Sequence, residues 1–155
     1  MNQSLFLGAA IGALAGTVLA IPGIVLESMR RSKQLPFVLD IKEVWGRNLT
    51  ENEVFLLSVF IHLLFSTAAG LIYVAVAQQG WIFFLGPVFS FPSLLLFSLL
   101  AWVVTGTVLY PLLGFGFFAR KEGAHIWLEI LASNFFLAIL LWAGFVFYQP
   151  FFFSR

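Results

Sequence analysis

The sequence predicts an all-α integral membrane protein: a four-helix transmembrane bundle in a single domain, with a short interfacial helix between spans one and two. Three observations predict it. Of the 155 residues, 61% are hydrophobic and 10% are charged, against about 45–50% apolar and about 25% charged in soluble domains. Four apolar segments, 5–27, 54–76, 92–113 and 126–148, reach the roughly 20 residues that cross about 30 Å of hydrocarbon at 1.5 Å per residue. Seven of the eight Lys and Arg residues gather on one side, with Arg30, Arg31, Lys33, Lys42 and Arg47 after the first segment and Arg120 and Lys121 after the third. By the positive-inside rule those two connections are cytoplasmic, and both termini and the connection between spans two and three lie outside. The expected location is the cytoplasmic (inner) membrane.

The same composition excludes several functions. Net charge is +1, so there is no basic surface for nucleic acid. The absence of cysteine removes thiol nucleophiles, disulfide exchange and thiolate metal sites.

Span one lacks the positive leader of a signal peptide and is too long for its apolar core, so it reads as a retained span. Gly8, Gly12 and Gly16 recur every fourth residue. Glycines at that spacing strip the side chains from one stripe and let a second helix backbone approach closely. The stripe serves either packing within this chain's bundle or a homodimer contact. Pro22 is expected to kink the span near its end.

The polar stretch that follows carries Phe37, Ile41, Val44 and Trp45 at helical spacing behind Pro36. This pattern reads as a helix lying on the membrane surface, against a plain solvated loop. Thr50 and Glu53 form a T-x-x-E capping box that starts span two. Asn48-Leu49-Thr50 matches a glycosylation acceptor, but the charge rule places it in the cytoplasm, where it would not be used.

In span two, His62, Ser66, Gly70 and Tyr73 lie on one helical face. A histidine within a span is costly unless it faces the protein interior, which makes it a functional candidate. His62, Thr105 of span three and Asn134 of span four all fall about 12 Å inside the cytoplasmic surface. Hydrogen bonds among them would satisfy groups that lipid cannot. The cluster reads either as a polar clasp between helices or as a proton relay, a small-ligand site or a transport path. Glu129 sits one turn after His125 and one turn before Ser133, an arrangement for an interfacial ion pair or a shared proton. His62 and His125 differ by roughly 12 Å in depth, which argues against a haem between them, and no cofactor or metal is expected.

Between spans two and three, 81–91 is apolar but interrupted by Gly86 and Pro87, and reads as an interfacial or partly re-entrant loop. Span three closes on Tyr110-Pro111-Leu112-Leu113-Gly114-Phe115-Gly116. Pro111 removes a backbone hydrogen bond, freeing the Thr107 carbonyl, and Gly114 and Gly116 permit the positive φ that ends a helix. Bend and stop are expected there.

The small-residue span one, the H-x7-G-x2-Y pattern of His62, Gly70 and Tyr73, and the P-x2-G-x-G-F ending of Pro111, Gly114, Gly116 and Phe117 resemble the YagU-like four-span bacterial inner-membrane proteins. Ser66 and Asn134 depart from that pattern. The resemblance implies architecture and no particular activity.

No motif for a nucleophile with a matched base, a phosphate loop or a metalloprotease is present, so no enzyme is expected. The expected role is a structural or interaction module of the membrane, whose partners are lipids and either further copies of itself or a larger complex. The alternative is a small carrier or proton relay built around His62.

Overall fold

The computed structural model describes residues 2–28, 43–44, 47–80, 87–121, 123 and 125–152. Four helices in it are long and apolar enough to cross a membrane. They are α1 (Asn2–Ser28), α2 (Glu51–Gln78), α3 (Phe91–Val104), which continues through a π-helical segment Thr105–Leu109 and a last α-turn Tyr110–Leu112, and α4 (Ile126–Phe152). The surface helix expected before span two lies outside the described residues except at its end. There Glu43–Val44 pairs antiparallel with Arg47–Asn48.

Helix α2 begins where its side chains satisfy its first amides. The Glu53 amide donates to Thr50 Oγ1 at 3.4 Å, and the Thr50 amide donates to Glu53 Oε2 at 2.9 Å. Arg47 holds the other carboxylate oxygen at 2.6 Å. At the far end of α2, Gln78 Nε2 donates to Ser4 Oγ at 2.8 Å, joining it to the start of α1.

Of the connection read as interfacial or re-entrant, 81–86 lies outside the described residues, and Pro87 to Ser90 form a turn before α3. Ser90 caps α3 in extended backbone with Pro92 in the first turn, where a missing amide hydrogen leaves no bond unmade.

The contact between α1 and α2 is made by backbone. A Cβ on Gly12 would strike the Ser66 carbonyl oxygen, and one on Gly70 would strike the Gly8 carbonyl oxygen and stand 2.9 Å from Gly12 Cα. A Cβ on Gly8 would lie 2.6 Å from Val74 Cγ2, and one on Gly16 would lie 2.6 Å from Ser66 Cβ. The glycine stripe of α1 is therefore covered by α2 of the same chain, antiparallel to it. α1 stays helical through Pro22 to Ser28.

Helix α1 packs on α4 as well, with Ile11 filling the space a side chain at Gly144 would need. α3 packs on α4, while α2 and α3 barely meet. Going round the bundle, the order is α2, α1, α4, α3, with a gap between the last and the first.

Two apolar clusters close the ends of that gap. At the end holding the start of α1 and the end of α4, Ile11, Ala15, Tyr73, Val74, Leu94, Leu141 and Phe145 form the main core. At the other end, Phe115 and Ala119 of the α3–α4 connection are buried against Leu57, Ile61, Tyr110, Ile126 and Ile130.

That connection is tightly folded. Gly114 and Gly116 stand at φ +88° and +75°, conformations open to glycine at little cost. Phe118 and Ala119 follow at φ 51° and 53°. Left-handed backbone is unfavourable for such residues and is held here by burial: Ala119 is fully enclosed, and the Phe118 ring lies on Gly106 and stacks 4.7 Å from Trp102.

Because Gly12 has no room for even one methyl, Gly12→Leu must push α1 and α2 apart. The expected loss is at least the about 1–3 kcal/mol typical of overpacking. It should be read as a lowered melting temperature of the detergent-solubilised protein; unchanged melting would refute the contact.

Candidate functional site

The gap between α2 and α3 is a cleft of about 670 Å³, with α4 as its back wall. It falls within the roughly 300–1,000 Å³ of ligand sites. Phe65 and Ile72 of α2 and Leu100 and Val104 of α3 line it while 40–56% exposed, so its mouth opens sideways, between the helices, through an apolar rim.

The lining is divided along its length. Toward the α3–α4 connection it carries Ser58, His62 and Ser66 of α2, Thr105 and Tyr110 of α3, and Ser133 and Asn134 of α4. Toward the main core it is apolar: Ala69, Ile72, Val76, Leu96, Phe97 and Leu137. The cleft is amphipathic, and among the described residues none of those lining it is Lys, Arg, Asp or Glu.

His62, Ser66, Thr105 and Asn134 thus share one cavity, but the expected hydrogen bonds among His62, Thr105 and Asn134 are not formed. Thr105 Oγ1 donates to the carbonyls of Ala101 at 2.9 Å and Trp102 at 3.1 Å, within its own helix. Asn134 Nδ2 donates to Ile130 at 2.9 Å, likewise one turn back. The reason is the gap itself: with α2 and α3 apart, the nearest acceptors for short polar side chains are the carbonyls of the preceding turn. His62 turns toward α1, where its polar neighbour is the Gly16 backbone. Its Nε2 is enclosed without a hydrogen-bond partner.

Two residues grouped with this cluster on sequence grounds stand elsewhere. Tyr73 shares a helical face with His62, but lies 11 residues further along α2, about 16 Å by helical rise. There it is fully buried among Phe89, Phe97 and Phe145, with ring centroids 6.2, 5.2 and 5.5 Å away. Its hydroxyl donates to the Val88 carbonyl and pins the turn before α3. Glu129 is exposed on α4 and does not line the cleft. It meets His125 through the backbone, amide to carbonyl at 3.4 Å. Among the described residues the ion pair found is Arg47–Glu53.

The π-helical segment was not anticipated. The Tyr110 amide donates to the Thr105 carbonyl, five residues back, so one extra residue is accommodated just before Pro111. Such widened turns occur often at functional sites; this one brings Thr105, Leu109 and Tyr110 onto the cleft wall together. Ser58 also escaped the sequence reading, although the spacing held a signal: Ser58, His62 and Ser66 repeat every fourth residue and extend the polar edge of α2 by one turn.

These elements define a class: a four-helix bundle with apolar outer faces and an amphipathic cleft opening between two of its helices. Comparison with models of known protein families finds no match to the chain, and neither curated proteins nor solved structures match it.

Tyr73 gives the site's clearest stability test. Tyr73→Phe removes the hydroxyl bonded to Val88 and leaves its ring contacts in place. It is expected to cost about 0.6 kcal/mol and at most about 2, the range of side-chain hydrogen bonds in membrane bundles. Equilibrium unfolding in mixed micelles measures the difference, and no loss would mean that the bond does not form.

Proposed function

We propose that the chain is a non-catalytic binding module of the bacterial inner membrane, with its basic connections cytoplasmic, both termini outside, and a small guest molecule held in the cleft between α2 and α3. The carrying observation is the cleft: about 670 Å³, polar at one end, apolar at the other, and open through the gap between the helices. Structural packing alone favours closing such a gap, since voids forfeit dispersion contacts.

The guest reading is favoured over a proton relay by the make-up of the wall. Among the described residues His62 lines the cleft without an acidic partner there, and Glu129, the acid within α4, is exposed away from it. The glycine stripe is already occupied by α2, so assembly with lipids, with further copies or within a larger complex falls to the other outer faces. Likeness to the YagU-like proteins in the spacing of His62, Gly70, Tyr73 and Pro111 agrees with the four-span arrangement and leaves the guest to be found.

Orientation follows from the seven basic residues of the two inner connections. The chain has no cysteine, so a single one introduced at Gln3 is expected to react with a membrane-impermeant maleimide from outside intact spheroplasts. Labelling only after lysis would invert the topology.

The guest is tested on protein released directly from its host membrane. Native mass spectrometry is expected to show an adduct of lipid mass or below that survives mild activation. Ala69→Phe places a ring in the cleft, away from the face packed on α1, and is expected to remove the adduct while the melting temperature holds. Adduct-free wild-type protein, or an adduct untouched by Ala69→Phe, would overturn the reading.

A further inference from the structure

Taking the cleft as a binding site, as above, its hydrogen-bonding state restricts what binds. Thr105 has one hydroxyl hydrogen, and its Oγ1 is already within donor range of the Ala101 and Trp102 carbonyls. Toward the cleft that oxygen therefore offers lone pairs. Asn134 directs one amide hydrogen to the Ile130 carbonyl, which leaves its amide oxygen as an acceptor beside its second N–H. Adjoining walls of the polar end, α3 and α4, thus present acceptors beside donors of their own, the second Asn134 N–H and the Tyr110 hydroxyl. A guest hydroxyl, which both donates and accepts, matches them.

A charged donor is disfavoured. With no Asp or Glu among the described residues of the wall, an ammonium group would be desolvated without a counter-charge, and with no Lys or Arg among them a carboxylate or phosphate would fare no better. The head group that fits is uncharged and carries O–H.

The tail follows from length and shape. On α2 the lining runs from Ser58 to Val76, about 27 Å by helical rise, with the acceptors in one half and unbroken hydrocarbon in the other. That length exceeds one leaflet of about 15 Å, while the volume suits one slender molecule. The exposed apolar rim of Phe65, Ile72, Leu100 and Val104 allows entry from the side without the tail leaving hydrocarbon.

We propose that the cleft binds a single-chain amphiphile with an uncharged hydroxyl head group, such as a monoacylglycerol or a long-chain alcohol. It enters sideways between α2 and α3 and donates hydrogen bonds to Thr105 and Asn134.

The experiment uses the full chain in lipid nanodiscs and a long-chain 1-alkanol bearing a mid-chain diazirine, with three competitors of equal chain length: the unlabelled alkanol, its methyl ether and the matching carboxylate. The alkanol is expected to compete about tenfold better than the ether, the equivalent of about 1.4 kcal/mol, and better still than the carboxylate. Crosslinks should fall on the apolar half of the cleft. Asn134→Leu should narrow the gap between alkanol and ether while leaving the melting temperature and residual labelling of the apolar half in place; a merely structural asparagine would change stability and not the ratio. Equal or better competition by the ether or the carboxylate, with Ala69→Phe still blocking the label, would overturn the head-group assignment and leave the cleft a binding site. Labelling insensitive to Ala69→Phe would overturn both.

Discussion

The backbone contact between α1 and α2 is the constraint on which the rest of the structure depends. Where Gly8 and Gly12 cross Gly70 and Ser66, the two helices approach so closely that a Cβ at Gly12 or Gly70 meets a carbonyl oxygen. These helices are long and apolar enough to cross a membrane, and in such a setting there would be no water to expel between them, so association would rest on van der Waals contact and hydrogen bonding. Backbones brought this close maximise the first. The contact fixes the rotation of α2 about its own axis. Leu63, Ser66, Gly70 and Val74 must face α1, and the edge bearing Ser58, His62, Ala69, Ile72 and Val76 is turned to the cleft. The polar edge is thereby held inside the bundle by a neighbouring apolar contact and not by polar bonds of its own.

The gap beside α2 then follows from what α3 must do. Aromatic packing at one end, with Tyr73 against Phe97 and Phe145, and the folded connection at the other, with Phe115 and Ala119 beneath Ile61, Tyr110 and Ile130, hold α3 at its ends while leaving its middle clear of α2. The left-handed backbone at Phe118 and Ala119 is a cost of order 1–3 kcal/mol per residue. It is sustained because the Phe118 ring is seated on Gly106 and Trp102. The widened turn at Thr105–Leu109 absorbs the adjoining change in helical phase.

Much of the fold was legible in the sequence because hydrophobic length is a one-dimensional property: four apolar segments of sufficient length give four helices with boundaries within a few residues. The Thr50–Glu53 cap was readable for the same reason, since a capping box is a contact across three residues. The glycine spacing marked where a backbone would come close, but not which one, and Gly70 as the facing residue needed coordinates. The site was less legible. Depth along a helix placed His62, Thr105 and Asn134 at one level, yet level does not decide separation: Thr105 and Asn134 stand on α3 and α4 across a gap from α2, and His62 turns toward α1. Helical phase assigned Tyr73 to the same face as His62, although that face passes from cleft to core along its length. A widened turn leaves no mark in composition, and Phe118 in left-handed backbone is a long-range outcome of where its ring is seated.

The missing hydrogen bonds between helices bear on the proposed use of the cleft. Had Thr105 and Asn134 reached across to His62, the bonds would have drawn α2 and α3 together, and the polar end would have closed into a clasp. Each instead is satisfied one turn back along its own helix. Back-bonding of this kind satisfies the Thr105 hydroxyl hydrogen and one Asn134 amide hydrogen when the cleft is empty, which lowers the cost of the open form. It also leaves acceptor lone pairs free, so a guest that supplies a hydroxyl adds a bond without first breaking one. A clasp and a binding cleft are alternative uses of the same residues, and self-satisfied side chains on the adjoining walls of α3 and α4 suit the second, proposed, use.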